Sequence, residues 1–537
     1  MLSLSNPLSP QRAAWYFKRD DYYLAEEGVW YGALSKDLDL SGPVKRDEFL
    51  SLLQGFSPKG EKLVASAGAK DIIGQDGRVK KHGHRSGIDL TFSAPKSVSI
   101  LSYHDPEIRE AFQAALRSML DHIEHEFAYT QTKDKNRRVH AEKTGSLIFA
   151  AFEHNTSREL DPQLHCHCVL LNMTKDSKGT FKTVHNDPLF KNKMYLGQFF
   201  RNQLAAEMKR IGYKIEVTDR KKGFFEISGV GKEVMEAFSK RSQQVRREMK
   251  ALRAIEFKNL PREKLVSWAR EKIDAFSGHP DYETMLDKEV ERLSTSEEKI
   301  YAAYGDAELA AIATTGSRSA KREVSREQVL SRIEETCSSL NTSLSELHRN
   351  SRNQKPRKEE TVPAGEILKS TVDGITEGQS TFSKYQLIAN AMKMGIGQYM
   401  FNDFETEFDA SLARGDIVHL GTIETRASVK EVFSSKEMIA IEAEVMDLCR
   451  KFTGSSDIHI DPEHVDRFLD HTDKDLKMRS MLQTGEKDPE KAKVGSHKHC
   501  SPKISFCKID ILKVGAIEID ILKVCAIEIS TLEVGAV

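Results

Sequence analysis

Between residues 145 and 172 the chain places three histidines in two β-favouring runs joined by a turn, and few folds satisfy that arrangement. The first run, Gly145 to His154, reads Gly-Ser-Leu-Ile-Phe-Ala-Ala-Phe-Glu-His, and the second, Leu164 to Asn172, reads Leu-His-Cys-His-Cys-Val-Leu-Leu-Asn. Asp161-Pro162 between them is a turn signal. The two runs should fold back as an antiparallel pair that brings His154 beside His165 and His167. Side chains alternate faces along a strand, so His165 and His167 share one face while Cys166 and Cys168 take the other. A single histidine on a strand is usually just packed or solvated. Three neutral imidazoles from two adjacent strands instead make a facial nitrogen site with open positions, which favours a catalytic metal over a structural one. The cysteines offer a rival Cys/His set, but their opposite facing makes mixed coordination awkward, and they read as small buried apolar residues.

The spacing of these histidines, within His154-x-Thr-Ser-Arg-x-x-Asp-Pro-Gln-Leu-His165-x-His167, resembles the metal motif of the TrwC/TraI-type (MobF class) conjugative relaxases. Those proteins are histidine–hydrophobic–histidine (HUH) endonucleases. Three further segments resemble family signatures and occur in family order over about the first 340 residues. Gly87-Ile-Asp-Leu-Thr-Phe-Ser-Ala-Pro-Lys-Ser-Val-Ser99 is similar to the second signature. Ala13-Ala-Trp-Tyr16-Phe and Asp20-Asp-Tyr22-Tyr23 stand where the family has its N-terminal tyrosines, and Phe238-Ser-Lys-Arg-Ser242 is similar to a segment just past the catalytic core.

The resemblance implies site- and strand-specific nicking and strand transfer at the transfer origin of a plasmid or integrative element. The intermediate would be a covalent 5′-phosphotyrosine. Tyrosine suits this chemistry, because a phosphotyrosine bond keeps the energy of the phosphodiester and is reversed by a DNA 3′-hydroxyl. Phenol titrates near pKa ~10, so it needs a neighbouring base or a strong electrophile at phosphorus. By resemblance Tyr16 is the first nicking tyrosine, and Tyr22 or Tyr23 serves a second transfer. Tyr16 stands alone between Trp15 and Phe17, whereas some relatives carry two adjacent tyrosines. His154, His165 and His167 are implied to hold one divalent ion, expected to be Mg2+ or Mn2+, with Zn2+ or Ni2+ as alternatives. Asp89 is implied to orient a metal-bound histidine or to take the tyrosine's proton.

Net charge is −1 over 537 residues, but local patches decide nucleic-acid binding. Basic runs lie at Arg78–Arg85, Lys133–Arg138 and Arg220–Lys222, and at Lys240-Arg241 with Arg246-Arg247. Together they suggest a phosphate-tracking surface, with Arg85, Lys96, Arg158, Lys240 and Arg241 as expected DNA contacts. The implied partners are single-stranded and duplex transfer-origin DNA, a type IV secretion coupling protein and accessory origin-binding proteins. No stretch reaches the ~18 apolar residues of a spanning helix, and seven irregularly spaced cysteines give no disulfide framework. The bacterial cytoplasm is the expected location, with transfer to a recipient cell alongside the DNA.

Helical and strand signals mix through residue 255, including an amphipathic helix around 106–130 with Ile108, Phe112, Ala115, Leu116, Met119 and Ile123 apolar. The expected fold is therefore α+β, an antiparallel sheet palm backed by helices, with a helical C-terminal extension. Residues 1–340 read as the nicking and strand-transfer domain and 341–364 as a polar linker. Residues 365–450 read as a small winged-helix-like unit resembling the entry to the helicase half of longer relatives. No Gly-x-x-x-x-Gly-Lys-Ser/Thr loop occurs, so no ATPase or helicase activity is expected. Residues 451–537 read as disordered and end in a ten-residue repeat, Ile509-Asp-Ile-Leu-Lys-Val-Gly-Ala-Ile-Glu518 and two further copies, as an interrupted reading frame would leave. Two other functions compete: an HUH rolling-circle replication initiator, and an inactive DNA-binding remnant of a truncated relaxase gene.

Overall fold

The computed structural model describes residues 2–8, 28–74, 79–133, 135–273, 281–301, 304–316, 324–352, 362–425 and 428–453. Tyr16, Tyr22, Tyr23, Arg78 and the repeat tail lie outside the described residues. The chain divides into two compact units, the first chiefly Met1–Thr361 and the second chiefly Val362–Ala391, Asn402–Glu424 and Val429 onward.

The first unit is built on a five-stranded sheet in the order β1-β3-β5-β4-β2, where β1 is Leu2–Leu4, β2 Val29–Tyr31, β3 Gly87–Ser93, β4 Phe149–Thr156 and β5 Pro162–Leu171. Each neighbouring pair is antiparallel. The α+β class expected from the sequence is the one found. β4 and β5 are almost wholly buried, as a sheet covered on both faces requires.

One face of the sheet takes Ala150 and Phe152 from β4 with Val169 and Leu171 from β5, packed against Trp30, Leu34, Phe49, Leu52 and Val64. Phe49 meets Phe152 edge-on at 5.5 Å. The opposite face is covered by α2 (Glu107–Phe127) and α3 (Lys193–Arg210), which pack on each other. Phe200 of α3 meets Phe92 of β3 at 5.0 Å and Phe112 of α2 at 5.5 Å. The apolar positions of α2 predicted from periodicity, Ile108 through Ile123, are all buried.

Gly87 opens β3 where a Cβ would stand 2.2 Å from the Leu170 carbonyl oxygen, so only glycine lets the two strands close there. After β3, Pro95 leads into α1 (Lys96–Leu101), whose N-terminus is capped from a distance: Ser97 N–H and hydroxyl both donate to Glu226, at 2.8 and 2.6 Å.

Helices continue to Arg352, among them α4 (Lys240–Ala254), α5 (Asp306–Gly316) and α6 (Leu344–Arg352). The last corrects the linker reading of 341–364 over residues 344–352, while 353–361 lie outside the described residues. Leu344, Leu347 and Ser351 lie on one helical face and are buried, and Arg352 pairs with Asp105 and Glu107 of the palm.

The second unit carries α7 (Ala364–Thr376), α8 (Lys384–Met394) and α9 (Phe401–Arg414), then the hairpin β6 (Ile417–Thr425) and β7 (Ser428–Ser435), then α10 (Lys436–Thr453). Phe382 bridges to Phe433 of β7, and Phe433 meets Phe408 of α9 edge-on at 5.1 Å.

Candidate metal centre

His154 and His165 are direct cross-strand partners in the β4–β5 register, and His167 lies two residues on along the same face. All three are buried. Their ring centroids form a nearly equilateral triangle with sides of 5.4, 5.4 and 5.2 Å. Three imidazoles sharing one ion through nitrogens at ~2.1 Å, at tetrahedral angles, place their centroids roughly 5 Å apart. The backbone therefore already holds the rings at the spacing an ion needs. Among the described residues no group of three His, Cys, Asp or Glu side chains is arranged to hold a metal ion as it stands.

The tautomers favour coordination through Nε2. His167 Nδ1 is 2.8 Å from Asp89 Oδ2 and 3.1 Å from Thr91 Oγ1, and His165 Nδ1 is 2.8 Å from the Gln163 carbonyl oxygen. With Nδ1–H donating to those acceptors, each Nε2 keeps its lone pair. His154 makes ring contacts to both partners, and its Nε2 is a buried nitrogen for which no hydrogen bond is found. Burial, with the neighbouring His167 ring, lowers the His165 pKa to about 3, so that ring is a neutral ligand at physiological pH. These residues fit a divalent ion.

Asp89 sits beside a histidine, and its own backbone N–H donates to Ser5 Oγ at 2.9 Å. Cys166 and Cys168 are buried on the opposite face with their sulfurs 3.7 Å apart, and burial pushes the Cys168 thiol well up. Two participants were not foreseen. Thr91 follows Asp89 by two residues, so period-two alternation along β3 was the available signal. Gln163 contributes only a backbone oxygen and leaves no sequence trace.

The turn between the metal-bearing strands is tied down by polar groups. Leu160 takes a left-handed conformation (φ 61°), and Ser157 N–H donates to the Asp161 carbonyl at 2.9 Å. Lys96 Nζ donates to the Pro162 carbonyl at 2.8 Å; burial holds its ammonium below the ordinary lysine value, against the pull of Asp161 and Glu226. Arg85 pairs with Asp71 at 2.9 Å, and Arg158 is half-buried on the turn. Arg241 donates to the Thr314 carbonyl of α5 at 2.8 Å, whereas Lys240 is exposed with Nζ 3.8 Å from Asp161. Lys133, Lys135, Arg137, Arg138 and Lys143 are exposed on a separate two-stranded hairpin, Tyr129–Lys133 with Val139–Lys143.

Fold and site together define an antiparallel palm with three buried histidines clustered on one face. The TrwC relaxase family model matches residues 10–340, more than half of the chain, and the protein belongs to that family. It is similar to the multifunctional conjugation protein TraI of Escherichia coli, at 36% identity over 262 residues, covering 46% of this chain and 14% of that protein. The TraI of strain K12 matches at 35% over the same shares. The match thus spans about one seventh of those relatives. Solved structures of conjugative relaxase TrwC also align over 64% of this chain and 100% of theirs. One is a metal-free complex with oriT DNA (29% identity, TM-score 0.46) and another a copper-bound complex (30%, 0.47).

Proposed function

We propose that this protein is a conjugative relaxase, which nicks one strand at a transfer origin and holds the 5′-phosphate on a tyrosine. The observation that carries the reading is the triangle of His154, His165 and His167, buried, with ring centroids 5.2 to 5.4 Å apart, beside Asp89. Membership of the TrwC relaxase family supports it, and the matched span 10–340 takes in Tyr16, Tyr22 and Tyr23. So does the likeness to a conjugation protein, TraI of Escherichia coli.

In this reading the Tyr16 oxygen attacks phosphorus as its proton leaves, and the bond to the 3′-oxygen breaks. That oxygen takes up a proton and becomes a free 3′-hydroxyl. A later 3′-hydroxyl reverses the step, with Tyr22 or Tyr23 available for a second transfer. A divalent ion on the three histidines, Mg2+ or Mn2+ being expected, would supply positive charge to a non-bridging phosphate oxygen. Asp89 and Thr91 hold His167 in the tautomer that presents Nε2, and the Gln163 carbonyl does the same for His165. Lys240, the exposed cations of α4 and the basic hairpin at 129–143 supply sequence-independent grip on the backbone, with Arg85, Lys96, Arg158 and Arg241 as closer contacts. ATP has no role, because the phosphotyrosine stores the bond energy. A coupling protein, accessory origin-binding proteins and a cytoplasmic location complete the proposal.

The test is incubation of the purified chain with Mg2+ and supercoiled plasmid carrying the transfer origin of its own element. Relaxed product and a covalent protein–DNA adduct are expected. Tyr16→Phe should bind DNA and metal as before yet form no adduct on an oligonucleotide spanning the nick. An adduct that persists in Tyr16→Phe and disappears in Tyr22→Phe or Tyr23→Phe reassigns the nucleophile; no nicking by the unaltered chain refutes the reading.

A further inference from the structure

Asp161 is a buried carboxylate in the turn between two metal ligands, four residues before His165, and the chemistry above gives it no task. Its backbone closes the turn with Ser157, and its side chain reaches Lys240. Oδ2 accepts the backbone N–H of Lys240 at 2.8 Å, and Oδ1 lies 3.8 Å from Lys240 Nζ. Lys240 is the first residue of α4. The residue ahead of that helix, Ser239, makes no side-chain cap bond, and its hydroxyl donates instead to the Met235 carbonyl at 2.6 Å. Asp161 therefore supplies from outside the anion that a helix N-terminus requires.

Helix α4 has unusual needs. It carries Lys240, Arg241, Arg246, Arg247, Lys250 and Arg253 against one acid, Glu248, and buries no residue. With no residue wholly buried, α4 depends on polar attachments, beside its packing on α5, for where it sits. One attachment is to α5, through Arg241 with Thr314 and Arg253 with Asp306. Another is Asp161, in the segment that carries the histidines. Lys96 steadies the same point by its bond to Pro162.

We propose that Asp161 is a positioning residue that fixes the basic helix α4 to the metal-bearing turn, so that a DNA backbone gripped by α4 is held in register with the metal centre. The inference deepens the relaxase reading and rests on it for the reaction, though not for DNA or metal binding.

The experiment compares Asp161→Ala and Asp161→Asn in the full chain. The probes are a fluorescein-labelled thirty-residue oligo(dT) read by anisotropy, Co2+ read by its visible absorption, and nicking of the origin plasmid. Asp161→Ala should bind the oligonucleotide roughly threefold to tenfold more weakly, as loss of one charge-assisted bond implies. At saturating DNA its nicking rate should fall by about tenfold, because misplacement of the scissile strand costs rate and not only affinity. Co2+ binding should be unchanged. Asp161→Asn should recover most of both losses, since its amide oxygen still accepts the Lys240 N–H. Hydrogen exchange should show faster amides in the first turn of α4 and unchanged protection in β4 and β5. Loss of protection throughout the strands, equal weakening of Co2+ binding, an unchanged nicking rate with only KM raised, or Asn behaving as Ala would each overturn the proposal. If the unaltered chain does not nick but the variants order as expected in oligonucleotide binding, the relaxase reading fails while the anchoring of α4 stands.

Discussion

Replacing Asp89 with asparagine separates the two roles a carboxylate can have beside this site. Its Oδ2 lies 2.8 Å from His167 Nδ1, and both side chains are about nine-tenths buried, at 10% and 12% exposure, so the interaction is little screened by solvent. Asparagine keeps the volume and offers an amide oxygen at the same place, but the charge-assisted bond becomes a neutral one, with about half the strength. Thr91 Oγ1, 3.1 Å from the same nitrogen, remains as a second acceptor and limits ring rotation. Altering a carboxylate behind a metal-bound histidine typically costs 10- to 100-fold in metal affinity. Because Thr91 stays, the loss should fall at the lower end, about tenfold or ~1.4 kcal/mol. Titration calorimetry with Mn2+ on the unaltered and Asp89→Asn chains measures it directly. Nicking at saturating Mn2+ should then return to within a few-fold of the unaltered rate. If metal affinity holds and nicking stays lost at saturating metal, Asp89 acts on the tyrosine's proton and the orienting argument is wrong.

Two further outcomes follow from packing and from titration. Phe152→Ala, two residues before His154 and wholly buried against Phe49, should cost about 3–5 kcal/mol in thermal or denaturant unfolding of the first unit; a loss below 1 kcal/mol would mean the cluster is not holding β4. Burial pushes the Asp161 carboxyl above its ordinary value despite the Lys240 N–H. A raised folded-state pKa means a stabilising contribution present below the unfolded value and lost as pH rises through the folded one, so Asp161→Asn should gain in Tm relative to the unaltered chain between acid pH and neutrality. A relative Tm that is flat or falls with pH contradicts this.

Much of the centre was legible because its geometry is a strand property. Period-two alternation put His165 and His167 together and turned Cys166 and Cys168 away, and both outcomes hold in the structure. Thr91, by contrast, meets His167 only because β3 pairs with β5 in one register across 76 residues, and no local pattern encodes that. Gln163 acts through a carbonyl that every residue type possesses. The helix at Leu344–Arg352 had its signal, Leu344, Leu347 and Ser351 at helical spacing, but an Arg- and Asn-rich surface and only two leucines made it read as linker. Two buried leucines hold it, together with the pairs Arg352 makes with Asp105 and Glu107 of the palm.

Register is also what makes the site robust. Because three adjacent strands supply the histidines, Asp89 and Thr91, a slip of one residue in β5 would turn His165 and His167 toward α2 and α3 and bring Cys166 and Cys168 to the metal face. Both faces of β4 and β5 are buried, so that slip would misplace apolar residues on each side at once: Val169 and Leu171 from the Trp30–Phe49 cluster, and Leu164 and Leu170 from the face bearing the helices. The same apolar alternation that builds the core thus forbids the one error that would dismantle the histidine cluster. Polar ties are then needed only where alternation ends, at the turn. There Leu160 is left-handed, Ser157 and Asp161 close the chain, and Lys96 and Lys240 reach in from α1 and α4. That division accounts for why the charged residues of this region crowd the turn while β4 and β5, apart from the half-buried Glu153 that pairs with Arg109 of α2, carry none.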